Sequence, residues 1–364
     1  MGIPTSTIVP TEEEKRDLYN LSNQVPFDDR VNHEAELADL DPALIKAYLR
    51  EVGSSLLDTA DTMGFEDLCR SMNIAAGPHE YVKPKNVGLM FFSAQPERFF
   101  PCAQIDVVEF PDGLGGARIF ERTFDGPLYQ QLRDALRYLQ NSVIVEQVVK
   151  HPDRAEADRF FNYPYDALKE ALANAVYHKG YDVREPVEVR VLPERIEILS
   201  YPGADRSVSL EGLRTYRAIS RRYRNRRVGD FLKELHLTEG RNTGMAKILR
   251  TMRQNGSPDP VFETDEDRLY FLTTLPVHPG FLPAGAAEKT PDVKKTALEK
   301  PAAADRAEDL VAYLAHNPSA TSAQIARELG VSSSTVGRLL ANLKLEGRVR
   351  REGASRNGRW VVEG

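Results

Sequence analysis

Between Gly280 and Ala304 the sequence stops offering anything a core could use. Ala, Pro, Lys, Glu and Thr dominate, and no aromatic residue follows Phe281 within the stretch. Such a segment cannot bury enough apolar surface to offset the entropy of ordering it, so it reads as a flexible tether. The chain must then fold as separate parts, and 364 residues is in any case long for one ordinary core. The expected division is a mixed α/β region over 1–128, an α/β domain over 129–279, the linker over 280–304, and a helical module closed by a hairpin over 305–364.

That last module has a legible plan. Leu310, Val311 and Leu314 give a first helix an apolar stripe, and Thr321 or Ser322 caps a second whose Ile325, Ala326 and Leu329 face inward. Gly330 ends it, and Ser332 caps a third helix with Val336, Leu339, Leu340 and Leu343 on the buried side. The outward positions Ser333, Ser334, Thr335, Arg338 and Asn342 carry short polar groups and one guanidinium, the chemistry that meets base edges and phosphates in a major groove. Two strand-like runs, 348–352 and 359–362, then form a wing. From Val331 onward there are seven basic residues (Arg338, Lys344, Arg348, Arg350, Arg351, Arg356, Arg359) against three acidic ones (Glu346, Glu352, Glu363). The whole chain carries a formal charge of -6, so any contact with nucleic acid is local to a basic face. The module resembles the bacterial winged-helix repressors, which implies duplex DNA as partner, with Arg351, Arg356 and Arg359 on the wing. A winged helix used only for protein–protein contact is the alternative.

Several classes drop out. Cys69 and Cys102 are the only cysteines and show no ligand spacing, which points to reduced thiols rather than a metal site or structural disulfide. No apolar run reaches the roughly 18 residues a membrane span needs, and the first residues lack a signal-peptide pattern. The expected location is the cytoplasm, without membrane association.

Upstream of the linker, Asp41-Pro42 is set to open a helix, Val87–Phe92 and Ala103–Phe110 look like buried strands, and the glycine cluster Asp112–Gly116 looks like a hairpin turn rather than a phosphate loop. A helix over Asp166–Tyr177 precedes strands at Val187–Leu192 and Arg195–Leu199, and alternation in the second marks it as half-exposed. Further helices fall near Val228–Leu235 and Met245–Asn255, with a closing strand at Leu269–Leu275. On the first of these helices Glu170 and Asn174 share a face and His178 lies one turn further. A carboxylate beside a carboxamide could polarise water and hold Mg²⁺ near a phosphate, or be no more than a solvated polar stripe.

The segment Asn162–Tyr181 resembles the N-box of the GHKL (Bergerat-fold) ATPases, in the divergent form found in bacterial regulators that also carry an AlbA-type, Schlafen-like domain. Glu194–Ile198 with Pro202-Gly203 resembles that family's strand-plus-NPG element, Ser220 with Arg224-Asn225 its Ser…Arg-Asn element, Glu239, Arg241 and Thr243-Gly244-Met245 its glycine box, and Pro260–Phe262 its closing motif. The likeness is good over about 99–276 and extends back to Thr5, where Ser6–Asp17 resembles the end of the AlbA-type domain, and the resemblance implies that only this end of the domain falls within the sequence. The resemblance implies an α/β sandwich holding ATP and Mg²⁺. Glu170 would activate water, Asn174 would hold the metal, and His178, Tyr201, Gly203, Arg224, Asn225, Thr243 and Gly244 would surround the nucleotide. Three positions depart from the family: Tyr201 stands where an adenine-reading Asn or Asp is usual, Asn242 where a glycine is, and Gly180 where an aspartate is.

Arg214, Arg217, Arg221, Arg222, Arg224, Arg226 and Arg227 occur with no acid among them, where a nucleotide lid would lie. They could meet nucleotide phosphates, a nucleic-acid backbone or an acidic partner surface. The favoured expectation is a DNA-binding regulator with a nucleotide-sensing or assembly domain, as a homodimer or higher oligomer. An Mg²⁺-dependent ATPase acting with DNA, in genome defence or DNA processing, is the enzymatic alternative. A dimerisation scaffold without nucleotide is the third.

Overall fold

The computed structural model describes residues 25–150, 157–218, 223–238 and 244–282, and from 310 onwards a scattered set that includes both strands of the terminal hairpin. The chain divides into two compact units, Met1–Ala284 and Gly285–Gly364. Residues 283–304 of the expected linker lie outside the described residues.

In the first unit, Asp41 caps α1 (Pro42–Glu51) by accepting the Ala43 N–H at 2.7 Å, with proline at the first helical position. After the short α2 (Leu56–Thr59) and α3 (Phe65–Ser71) come the paired strands β1 (Ala75–Ala76) and β2 (Lys83–Pro84). The run expected as a strand at Val87–Phe92 is instead α4 (Asn86–Phe92), every residue of which is buried. A helix buried all round shows no amphipathic period, and a short apolar run does not distinguish it from a core strand.

The main sheet has six strands. β3 (Ile105–Glu109) and β4 (Phe120–Phe124) form the expected antiparallel hairpin, with Gly113 and Gly115 at positive φ in its turn. Then follow α5 (Leu128–Ser142), the small hairpin β5 (Glu146–Val149) and β6 (Asp158–Phe161), and α6 (Tyr165–His178). β7 (Val187–Val191) and β8 (Arg195–Ser200) come next, then α7 (Leu210–Arg214), α8 (Arg226–Glu234) and α9 (Gly244–Gln254), and finally β9 (Val261–Thr264) and β10 (Phe271–Pro276). The strand order is β4-β3-β7-β8-β10-β9, with β3–β7 parallel and the other pairs antiparallel. Helices α5 and α6 belong to the crossover that the parallel pair requires. α5 lays Leu128, Leu132, Leu136 and Leu139 into the core, each worth about 2 kcal/mol on burial. α6 packs on β8 and on α9. The result is a helical layer on a mixed sheet, the α/β sandwich expected from the sequence.

β8 departs from its expected half-exposure. Glu197 is only 8% exposed, because Arg195 donates to its carboxylate at 2.7 Å and Arg190 of β7 lies across from it in register. Alternation marks the two faces of a strand, and here ion pairing covers the polar one.

A long-range contact closes the unit. Asp28, fully buried, accepts the Val228 N–H at 2.9 Å from 200 residues away, capping the first turn of α8.

The second unit has its own core, built from Leu310, Leu314, Ile325, Val336, Leu340, Leu343, Val349 and Trp360. Thr321 caps its second helix in a reciprocal box, donating its N–H to Gln324 Oε1 at 2.9 Å and accepting the Gln324 N–H at 3.4 Å. β11 (Val349–Glu352) pairs antiparallel with β12 (Arg359–Val362), and the buried Trp360 donates its ring N–H to Ala320 O at 3.2 Å, fastening the wing to the helices.

Candidate functional site

Proline at 164 followed by Asp166 starts α6, and its alanines at 167, 171, 173 and 175 let it lie close to its neighbours on several sides. Glu170 is 6% exposed and Asn174 half-buried. Against them comes the first residue of α9. A Cβ on Gly244 would stand 2.5 Å from Asn174 Nδ2 and 2.8 Å from Glu170 Oε1, so only glycine fits without moving both side chains. From the first turn of α9, Lys247 Nζ reaches to 3.5 Å from Glu170 Oε2. The carboxylate therefore faces both an ammonium and the positive end of a helix.

From this point a cleft runs between α6, the sheet and the loop after β8. Glu170, Asn174, His178, Gly203, Arg224 and Gly244 all line it, and its empty volume is about 1180 Å³ with the solvent at its mouth included. Its floor is the helix-facing side of the sheet, Ile198 and Ser200 from β8 and Phe271 and Thr273 from β10, in neighbouring register. Apart from a few polar groups the lining is aliphatic and aromatic, as in pockets for small organic ligands.

The loop end is held tightly. Gly203 donates to Arg268 O at 2.7 Å, and a Cβ on it would run into the Thr264 hydroxyl and stand 2.7 Å from Tyr270 O. Arg224 donates to His178 O at 3.0 Å and to Gly203 O at 2.8 Å, pinning the end of α6 to this loop. Asn225 Nδ2 donates to Tyr177 O at 3.0 Å and Lys179 O at 2.6 Å. Together the two side chains satisfy three successive carbonyls at the end of α6, groups that a helix terminus otherwise leaves to solvent. His178 is desolvated by burial and repelled by Arg224, which pushes its pKa down to about 4, so its ring is neutral near pH 7.

Of the residues expected around the nucleotide, two take other places. Tyr201 does not line the cleft. Along β8 the even positions face the helices, so Tyr201 falls on the opposite side of the sheet, beside Glu185, Glu188 and Arg190. Asn225 is buried behind the wall and serves backbone carbonyls instead. Arg224 does line the cleft, with its guanidinium committed to the two carbonyls above. Thr243 lies outside the described residues, as do Arg221 and Arg222 of the arginine run. Tyr177, Ser200, Asp205, Tyr223 and Thr273 line the cleft without having been singled out in the sequence; their types are common and their only signal is adjacency to the recognised elements. Among the described residues no group of three His, Cys, Asp or Glu side chains could hold a metal by itself. A magnesium ion at Asn174 and Glu170 would take most of its ligands from phosphate and water, which is its usual manner.

On the wing, Arg359 is exposed, and Arg350, which pairs opposite Val361, is exposed too. Ser333, Ser334, Thr335, Arg338, Asn342 and Arg356, and the side chain of Arg351, lie outside what is described.

Two stretches match known families. Residues 185–273 match a family described as "Putative ATP-dependent DNA helicase recG C-terminal". Residues 309–359 match the MarR family. The chain thus carries a recG-like, ATPase-type domain and a MarR-type winged helix. No curated protein matches it. A crystal structure of a Corynebacterium diphtheriae protein from a structural-genomics programme superposes with a TM-score of 0.51 at 18% identity, over 95% of this chain and 66% of that one. That likeness is one of fold, and this chain spans slightly less than two thirds of the other's length. Among the described residues no helix is long and apolar enough to cross a membrane.

Proposed function

We propose that this protein is a DNA-binding transcriptional regulator whose ATPase-type domain binds a magnesium–nucleotide complex in the cleft and passes its occupancy on to the winged helix. The observation that carries the reading is the meeting of Glu170, Asn174 and Gly244 at one end of the cleft. The side-chain oxygen of Asn174 would hold the magnesium, and backbone N–H groups at the start of α9 would meet phosphate. The bound ion would neutralise phosphate charge. The winged helix would place Ser333, Ser334, Thr335, Arg338 and Asn342 in the major groove and Arg351, Arg356 and Arg359 on phosphates, as one half of a homodimer on duplex DNA.

A second reading, turnover, is favoured by the buried Glu170 in the cleft. Glu170 could take a proton from an attacking water once Lys247 is drawn away toward phosphate. Calorimetric titration with ATP, ADP and GTP, with and without Mg²⁺, separates the possibilities. Asn174→Ala should abolish Mg²⁺-dependent binding, whereas Glu170→Gln should keep binding and lose any hydrolysis. DNA affinity measured with and without saturating nucleotide should differ, and DNA must then change nucleotide affinity by the same factor. A wild-type protein that gives no heat with any of the three at millimolar concentration leaves only an assembly role.

A further inference from the structure

One turn beyond Asn174 the wall of the cleft becomes aromatic. Tyr177 stacks on His178, with centroids 4.6 Å apart and planes 29° apart, and on Tyr223, at 5.7 Å and 12°. His178 and Tyr223 are 6.3 Å apart and within 20° of parallel. All three rings line the cleft. The group is braced from behind, since Gly229 of α8 lies so close to the Tyr177 ring that a Cβ there would stand 2.5 Å from it. Arg224 and Asn225, which follow Tyr223 directly, fix the carbonyls of residues 177, 178 and 179. This is a platform of near-parallel rings held by packing and by backbone hydrogen bonds.

We infer that this platform seats the base of the nucleotide, which stacks on Tyr223 and His178 and is recognised through its π-face rather than by an acidic side chain. The inference rests on the nucleotide reading given above and names the part of the ligand each end of the cleft takes. Asn174 and His178 are one turn apart on α6, about 6 Å along its axis, so the phosphate end and the ring end of the cleft are displaced from each other along one helix. Tyr201, where the family's base-reading side chain stands, is on the far side of the sheet. Asp205 is the one carboxylate besides Glu170 among the described lining residues, and its Oδ1 already accepts the Ser207 N–H at 2.8 Å in its own turn. The neutral His178 ring adds no charge that would favour one base over another. Stacking is tolerant of base identity because every base has a π-face, so adenine and guanine nucleotides should bind within a few-fold of each other.

The test uses the full-length protein with Mg²⁺ and four probes: ATP, GTP, the triphosphate of 2-aminopurine riboside, and inorganic tripolyphosphate. Binding should quench 2-aminopurine fluorescence in the wild type. Tyr223→Ala should weaken ATP and GTP alike by about tenfold or more, leave tripolyphosphate unchanged and abolish the quench, while Tyr223→Phe keeps wild-type affinity. The inference is overturned if the wild type binds the 2-aminopurine nucleotide without quenching. It is also overturned if Tyr223→Ala leaves ATP affinity unaltered, or weakens ATP and tripolyphosphate equally. A wild type that binds none of the four overturns the nucleotide reading itself, and the platform with it.

Discussion

Asp28 shows how one side chain can carry opposing demands. It caps α8, and the N–H groups of Val228 and Arg227 favour its charged form, but burial outweighs them and raises its pKa from 3.8 to about 6. One of its oxygens, Oδ1, is buried and has no partner among the described residues. In the folded protein the carboxyl thus holds its proton between about pH 4 and pH 6, where the unfolded chain has released it. Its contribution is fully present below pH 4 and is lost as pH rises through about 6. Asp28→Asn should remove this slope, on the order of 3 kcal/mol across the window. Chemical denaturation of both proteins at pH 4 and pH 7 measures it. An identical stability difference at the two pH values would show that Asp28 does not titrate there.

Elements differ in how openly the sequence declares them. β7 and β8 were readable because their sequences alternate, α6 because Glu170 and Asn174 recur at helical spacing, and the hairpin turn because of its glycines. α4 was not, because being buried on all sides erased its period. Glu170, Asn174, Gly203 and Gly244, which line the cleft, were singled out by resemblance to known sequence elements, because the Glu170–Asn174 spacing alone also suits a solvated polar stripe. The site was illegible where the deciding fact is which face of a strand a residue falls on, as with Tyr201, or which backbone group a side chain serves, as with Asn225. The wing belongs to this scale too. Arg350 and Arg359 are exposed on paired strands. Replacing both with alanine should reduce the log–log salt slope of DNA binding by roughly 1.8, as two phosphate contacts would. An unchanged slope, with the fold intact by circular dichroism, would take these two arginines off the DNA.

For the whole chain, the first unit does not divide where the sequence suggested one domain ends at residue 128. Two of the six strands, β3 and β4, precede that point, and β3 pairs directly with β7. A fragment covering 129–279 should therefore fail to fold, giving broad amide spectra and no cooperative melt, whereas a fragment covering 25–284 should melt cooperatively. A well-dispersed spectrum from the shorter fragment would mean that the last four strands close a core without the first hairpin. The same parallel pairing bears on how the protein is made. Ile105 and Val107 leave the ribosome well before Val187 and Val189, their partners across the ladder. At roughly 5–20 residues per second the first hairpin waits for several seconds with its inner edge unsatisfied. The hairpin also carries Leu114, Ile119 and Phe120 in the open even in the finished molecule. Nascent chains crowded on one messenger would meet through that edge first, so yield in the cell should depend on translation speed and on chaperones that bind the emerging chain.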